Sequence, residues 1–115
     1  MASAHPASDD ERWLVVDGRR WRRTDPALAE ETAARLRSHL GRARAAVRIA
    51  RRDGDEAATS DARHRVGLAK AGLGERGPTW WDDEVAARRA RADEALRELD
   101  RIAPPRADDG RDVNA

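Results

Sequence analysis

The chain contains no cysteine, so neither a disulfide nor a thiolate-bound zinc can hold it together, and its redox compartment is not indicated. Phenylalanine and tyrosine are absent too, and valine, isoleucine and leucine are sparse, which leaves alanine to supply much of the apolar fraction. Alanine is the best helix former but buries little area, so a thin, mostly helical core is expected, with Trp13, Trp21, Trp80 and Trp81 carrying a large share of its burial. No stretch approaches the ~20 apolar residues of a membrane span, and residues 1–11 lack the basic start and apolar run of an export signal. The expectation is a soluble, cytoplasmic protein without membrane contact. Its 115 residues allow one small domain at most.

What is abundant is charge, and it is unevenly placed. The net charge is only +1, yet residues 12–52 hold twelve arginines against four acids, while residues 53–115 hold eleven bases against fifteen acids. Lys70 is the sole lysine. An excess of both arginine and alanine is also what a GC-rich coding sequence produces, so the basic first third points only weakly to an acidic partner.

Residues 1–11 and 104–115 have the polar, Pro- and Asp-containing composition of disordered arms, leaving residues 12–103 as a single hairpin-plus-helices domain. Within RWLVVDGRRWRR, residues 12–23, Asp17-Gly18 tolerates positive φ and predicts a two-residue type I′ turn. The pairs are then Trp13 with Arg22, Leu14 with Trp21, Val15 with Arg20 and Val16 with Arg19. Leu14, Val16 and Trp21 share the face expected to be buried. Trp13, Val15, Arg20 and Arg22 share the other, where Arg22 is placed to lie across the Trp13 ring. A lone hairpin is marginal in water, so it must lie on the helices or pair its edge with a second copy.

Asp25 and Pro26 read as the N-cap and first residue of a helix running to about Arg52, with an apolar stripe of Leu28, Thr32, Leu36, Leu40, Ala43, Val47 and Ala50. A second helix is expected from the Asp55 cap, striped by Ala58, Ala62, Val66, Ala69 and Leu73 and closed by Gly74. Thr79, boxed with Asp82, reads as the cap of a third helix whose narrow stripe of Val85, Ala92, Leu96, Leu99 and Ala103 leaves open whether it packs on the core or projects. The expected fold is therefore mainly α, with an N-terminal two-stranded β-hairpin packed on an antiparallel helical pair, a third C-terminal helix, and all four indoles in one cluster.

The strongest chemical suggestion is GRRWRR, residues 18–23. Arg19, Arg20, Arg22 and Arg23, with Trp13 or an exposed Trp21, combine phosphate neutralisation with base stacking. A solvated arginine strand explains the same letters. Arginines 35, 37, 42, 44, 48, 51 and 52 look spread around the first helix rather than gathered on one edge. His39 and His64, with Glu75 or Asp61, have no HxxxH or HExxH spacing and read as surface or boundary histidines, so no metal or other cofactor is expected. Asp82, Asp83 and Glu84 suit a helix start. No serine sits in a nucleophile motif, so no enzymatic activity is expected. Trp80 and Trp81 are read either as core or as a partner-binding anchor.

RWLVVDGRRWRRTDP in residues 12–26, together with LGERGPTWW in residues 73–81, resembles a family of small bacterial proteins of unknown function, some of which carry the label biopolymer transporter Tol. The resemblance implies a hairpin-plus-helices domain and no known activity. The reading that results is a small non-enzymatic interaction or accessory protein, meeting a protein partner or a second copy of itself. The alternative is a nucleic-acid-binding protein that uses the basic hairpin.

Overall fold

A computed structural model describes residues 8–105, so most of each arm expected at residues 1–11 and 104–115 lies outside the described residues. The order of elements is α1 (Asp9–Arg12), β1 (Trp13–Val16), β2 (Arg19–Arg22), α2 (Glu30–Arg52), α3 (Glu56–Gly72), a 3₁₀ turn at Trp80–Asp82, and α4 (Val85–Ile102). The fold is mostly helical with an N-terminal antiparallel hairpin, as the sequence pattern predicts.

Asp17 and Gly18 both take positive φ, 54° and 78°, and the strand register is the predicted one in all four pairs. α1 departs from the sequence pattern, which puts its acids in a disordered arm. It is a single turn closed by a capping box, in which the Ser8 side chain accepts from the Glu11 N–H and the Glu11 carboxylate accepts from the Ser8 N–H.

Asp55 caps α3 as expected, accepting from the Ala58 N–H at 3.0 Å. The other two predicted caps are corrected. Asp25 does not start α2, because its carboxylate is taken by Arg88, and the chain turns at Pro26 and Ala27 before α2 opens at Glu30. Thr79 does bond Asp82, but that pair closes only the 3₁₀ turn. Asp83 is extended, and α4 begins at Val85.

α2 and α3 lie antiparallel, and α4 packs across both instead of projecting. Leu36 and Leu40 of α2, Ala69 of α3, Leu73 just beyond it, and Leu96 and Leu99 of α4 form the buried core. Gly72 explains itself here. A methyl group at that position would stand 2.9 Å from the Ala95 side chain and 3.1 Å from Leu36, so the glycine lets the end of α3 close on its neighbours. His39, which the sequence places at the surface or its boundary, is instead buried. It is 2% exposed between α2 and α4, where Arg42 Nη2 donates to Nδ1 at 3.0 Å. That leaves the proton on Nε2, which donates to Asp100 Oδ1 at 2.7 Å. Arg35 also pairs with Asp100, so the C-terminal half of α4 is tethered to α2.

Candidate nucleic-acid interface

The two motif segments, 12–26 and 73–81, dock on each other. Arg22 Nη1 donates to the carbonyls of Gly77 at 2.9 Å and of Gly74 and Pro78 at 3.3 Å. The Thr24 hydroxyl donates to Glu75 at 2.6 Å, the Asp25 N–H to Leu73 O at 2.9 Å, and Trp80 Nε1 to Arg23 O at 3.0 Å. Gly74, at φ +81°, is required twice over: that conformation suits glycine, and a Cβ there would meet the Asp25 Cβ at 3.0 Å. Trp81 stacks edge-to-face on Trp13 and on Trp80, with centroids 5.6 and 5.1 Å apart.

This joint absorbs most of the residues singled out in the sequence. Arg22 is spent on loop carbonyls and Arg23 on the carbonyls of Asp10 and Trp13. Trp80 is 4% exposed and Trp81 and Trp13 are half-buried, so the Trp80-Trp81 pair builds the joint and Trp80 offers no exposed anchor. Trp21 does not join the other three indoles. It carries Arg19 over its ring at 4.6 Å, while Arg20, and not Arg22, lies over Trp13 at 4.3 Å.

The face expected to be sheltered is not. Leu14, Val16 and Trp21 remain 41%, 46% and 41% exposed. They overlook a groove of about 770 Å³ whose far wall carries Arg44 of α2 and Lys70 of α3, with the Lys70 ammonium 5.6 Å from the Trp21 ring. The Glu75 carboxylate also lines the groove, where it accepts from the Thr24 hydroxyl and favours the charge on Lys70, while Arg44 has no carboxylate partner among the described residues.

Pairing also reveals an order that the arginine spacing concealed. On α2, Arg35 bonds Asp100, Arg42 bonds His39, and Arg52 approaches Asp53. On α4, Arg88, Arg91, Arg97 and Arg101 all have carboxylate partners. Arg44, Arg48 and Arg51 have none among the described residues, and their spacings of four and three put them on one edge of α2. Across the seam, α3 adds Arg63 and Lys70, and the following loop adds Arg76. A second hollow of about 490 Å³ is lined by Arg44, Arg48, Arg63 and Arg76, and a third of about 510 Å³ by Arg51 and Arg63, with Asp55 and Glu56 at its end. Arg44 is shared by the groove and the second hollow, and Arg63 by the second and third. One cationic row therefore runs from beneath the hairpin to the α2–α3 turn.

The crowding registers on Lys70, whose ammonium is held below its ordinary value, first by desolvation and then by Arg76 and Arg44, with Glu75 opposing. A depressed lysine means that the folded state holds its proton less tightly than the unfolded chain. Stability therefore rises as pH climbs from the lowered folded value toward the unfolded value near 10.4. Lys70→Met is expected to raise Tm at pH 7, with the gain fading near pH 11 where the wild-type amine is neutral. Thermal melts at the two pH values check this.

Among the described residues no group of acids and histidines is arranged to hold a metal ion, and no helix is long and apolar enough to cross a membrane. Comparison with protein-family models, with curated proteins and with solved structures returns no match.

Proposed function

We propose that the protein is a non-enzymatic, cytoplasmic binding protein for nucleic acid, which it grips along the α2–α3 seam beneath the hairpin. The observation that carries this reading is the row of Arg44, Arg48, Arg51, Arg63, Lys70 and Arg76, none of them in an ion pair among the described residues, whereas Arg35, Arg88, Arg91, Arg97 and Arg101 each have a carboxylate partner. Lys70, desolvated and repelled by Arg76 and Arg44, costs stability as a cation, and a polyanion relieves that cost on binding. The hairpin contributes Arg19 at the groove, while Arg22 and Arg23 hold the hairpin in place. This differs from a surface made by the four hairpin arginines alone.

Four phosphate contacts from Arg44, Arg48, Arg63 and Lys70 predict that log K falls with log salt at a slope of about −3. Arg48→Glu with Arg63→Glu is expected to flatten that slope by about 1.5 and to weaken binding of every sequence alike. Fluorescence anisotropy with a labelled oligonucleotide at 50 and 200 mM salt makes the measurement. Absence of binding at the lower salt, or a slope the double variant leaves unchanged, refutes the reading.

A second reading, a protein partner or second copy on the hairpin, is favoured by the exposure of Leu14, Val15 and Val16, at 41%, 63% and 46%. Light scattering separates the two: a concentration-dependent dimer supports this second reading, and a monomer removes self-association.

A further inference from the structure

We infer that the ligand is single-stranded and that one of its bases stacks on Trp21, taking the place that Arg19 holds in the free protein. The inference rests on the nucleic-acid reading above and adds to it the form of the ligand and the residue that recognises it.

Trp21 is set apart from the other indoles. Trp13, Trp80 and Trp81 are committed to one another, whereas Trp21 is 41% exposed and forms part of the wall of the groove. Leu14 and Val16 extend that wall into an apolar strip, and Arg44 and Lys70 bring cations to the other side, with the Glu75 carboxylate, held by the Thr24 hydroxyl at 2.6 Å, also in the lining. A groove with one apolar-aromatic side and one cationic side matches a nucleotide of a single strand, which presents a base face on one side and a phosphate on the other. A duplex keeps its base faces stacked inside and offers this wall nothing. The volume of about 770 Å³ falls within the ~300–1,000 Å³ over which proteins hold organic ligands.

In the free protein the ring carries two cations, Arg19 at 4.6 Å and Lys70 at 5.6 Å. An exposed cation on an aromatic ring is worth roughly 2- to 5-fold in an equilibrium constant, a base on the same ring roughly 5- to 150-fold. Exchange of Arg19 for a base is therefore favourable. It also frees the guanidinium, which sits beside the tight turn at Asp17 and Gly18, to meet a flanking phosphate. From Arg44 the row continues to Arg51 over seven residues of α2, about 10 Å, so the strand's backbone has cations to follow beyond the stacked base.

The test compares a labelled oligothymidylate of about twelve nucleotides with a duplex of the same length, against wild type, Trp21→Ala, Trp21→Phe and the Arg48→Glu, Arg63→Glu double variant. Poly-glutamate is a control, and far-UV circular dichroism checks folding. The expected result is at least ~10-fold tighter binding of the single strand. Trp21→Ala should lose roughly 5- to 150-fold for the single strand with an unchanged salt slope, while Trp21→Phe retains most of the affinity. Equal affinity for both forms, with Trp21→Ala neutral and the double variant weak on both, overturns the stacking inference and leaves the nucleic-acid reading standing. No binding of either form at low salt overturns both, as does binding of poly-glutamate at equal strength.

Discussion

Trp80→Ala is expected to lower folding stability by about 3–5 kcal/mol, a large part of the ~5–15 kcal/mol available to a domain of this size. Its neighbours are the Gly74 backbone, the Trp81 ring and the Arg88 guanidinium, so truncation leaves a cavity beside a buried charge. Trp80 is 4% exposed, donates Nε1–H to Arg23 O at 3.0 Å, stacks on Trp81 and lies beneath the Arg88 guanidinium at 5.2 Å. Gly74 packs directly on its ring, so truncation also loosens the loop whose carbonyls hold Arg22. Trp80→Phe keeps most of the packing and strands the Arg23 carbonyl, for a smaller loss of about 0.5–1.5 kcal/mol. Trp21→Ala, at the exposed groove, should cost about 1 kcal/mol or less. Urea unfolding followed by far-UV circular dichroism ranks the three variants. Equal midpoint shifts for Trp80→Ala and Trp21→Ala would contradict the division between a structural and a recognition indole.

That division was only half legible in the sequence. Asp17-Gly18 and the alternation on either side of it determine the hairpin register locally, so the pairing of Leu14 with Trp21 could be read directly. The period of two also sorts the side chains into faces. It cannot say which face will be covered, because that depends on a cradle of carbonyls at Gly74, Gly77 and Pro78, 52 to 56 residues further on. The diversion of Asp25 from a helix cap has the same origin. A Thr-Asp-Pro sequence is a strong helix-start signal, and only a partner 63 residues away diverts the carboxylate from it.

The cationic row was hidden for a different reason. Read along α2, the arginines surround the helix. Their meaning depends on which of them find acids, and the acids are on other elements: Asp100 on α4 serves both Arg35 and His39. Once those pairs form, the remaining charge lies on one edge, beside α3. His39 shows the converse. It interrupts an arginine-rich surface pattern, yet it is the member of that stretch that α4 buries, because Asp100 and Arg42 satisfy both ring nitrogens. A separation of roles follows. Arg22, Arg23 and Arg88 maintain the geometry of the joint, and Arg44, Arg48, Arg63 and Lys70 are left to meet a ligand.

The Asp25–Arg88 pair should give the second large effect. Arg88 grips the carboxylate with two nitrogens, Nε to Oδ2 at 2.9 Å and Nη2 to Oδ1 at 2.6 Å, and the side chains are only 11% and 2% exposed. Asp25→Ala leaves that guanidinium against Trp80 with the Asp83 carbonyl, at 3.4 Å, as its remaining hydrogen-bond acceptor, and is expected to cost about 3–5 kcal/mol. Arg88→Met leaves Asp25 buried with the Ala27 N–H at 2.8 Å for support, a loss of similar kind. The double variant removes both charges together, so its cost should fall below the sum of the two by about 0.5–3 kcal/mol. The hydrogen bond to Asp25 raises the Arg88 guanidinium above its ordinary value, with burial opposing and the charges of Asp25 and Asp83 adding to the rise. A raised base contributes its stability in full below its unfolded value, which for a guanidinium lies far above pH 9, and loses it only above that, so from the arginine side the coupling should be the same at pH 7 and pH 9. Four urea titrations at each pH close the cycle. Additive losses would show that the two side chains act independently and that the loop joint is held by its backbone bonds and indoles alone.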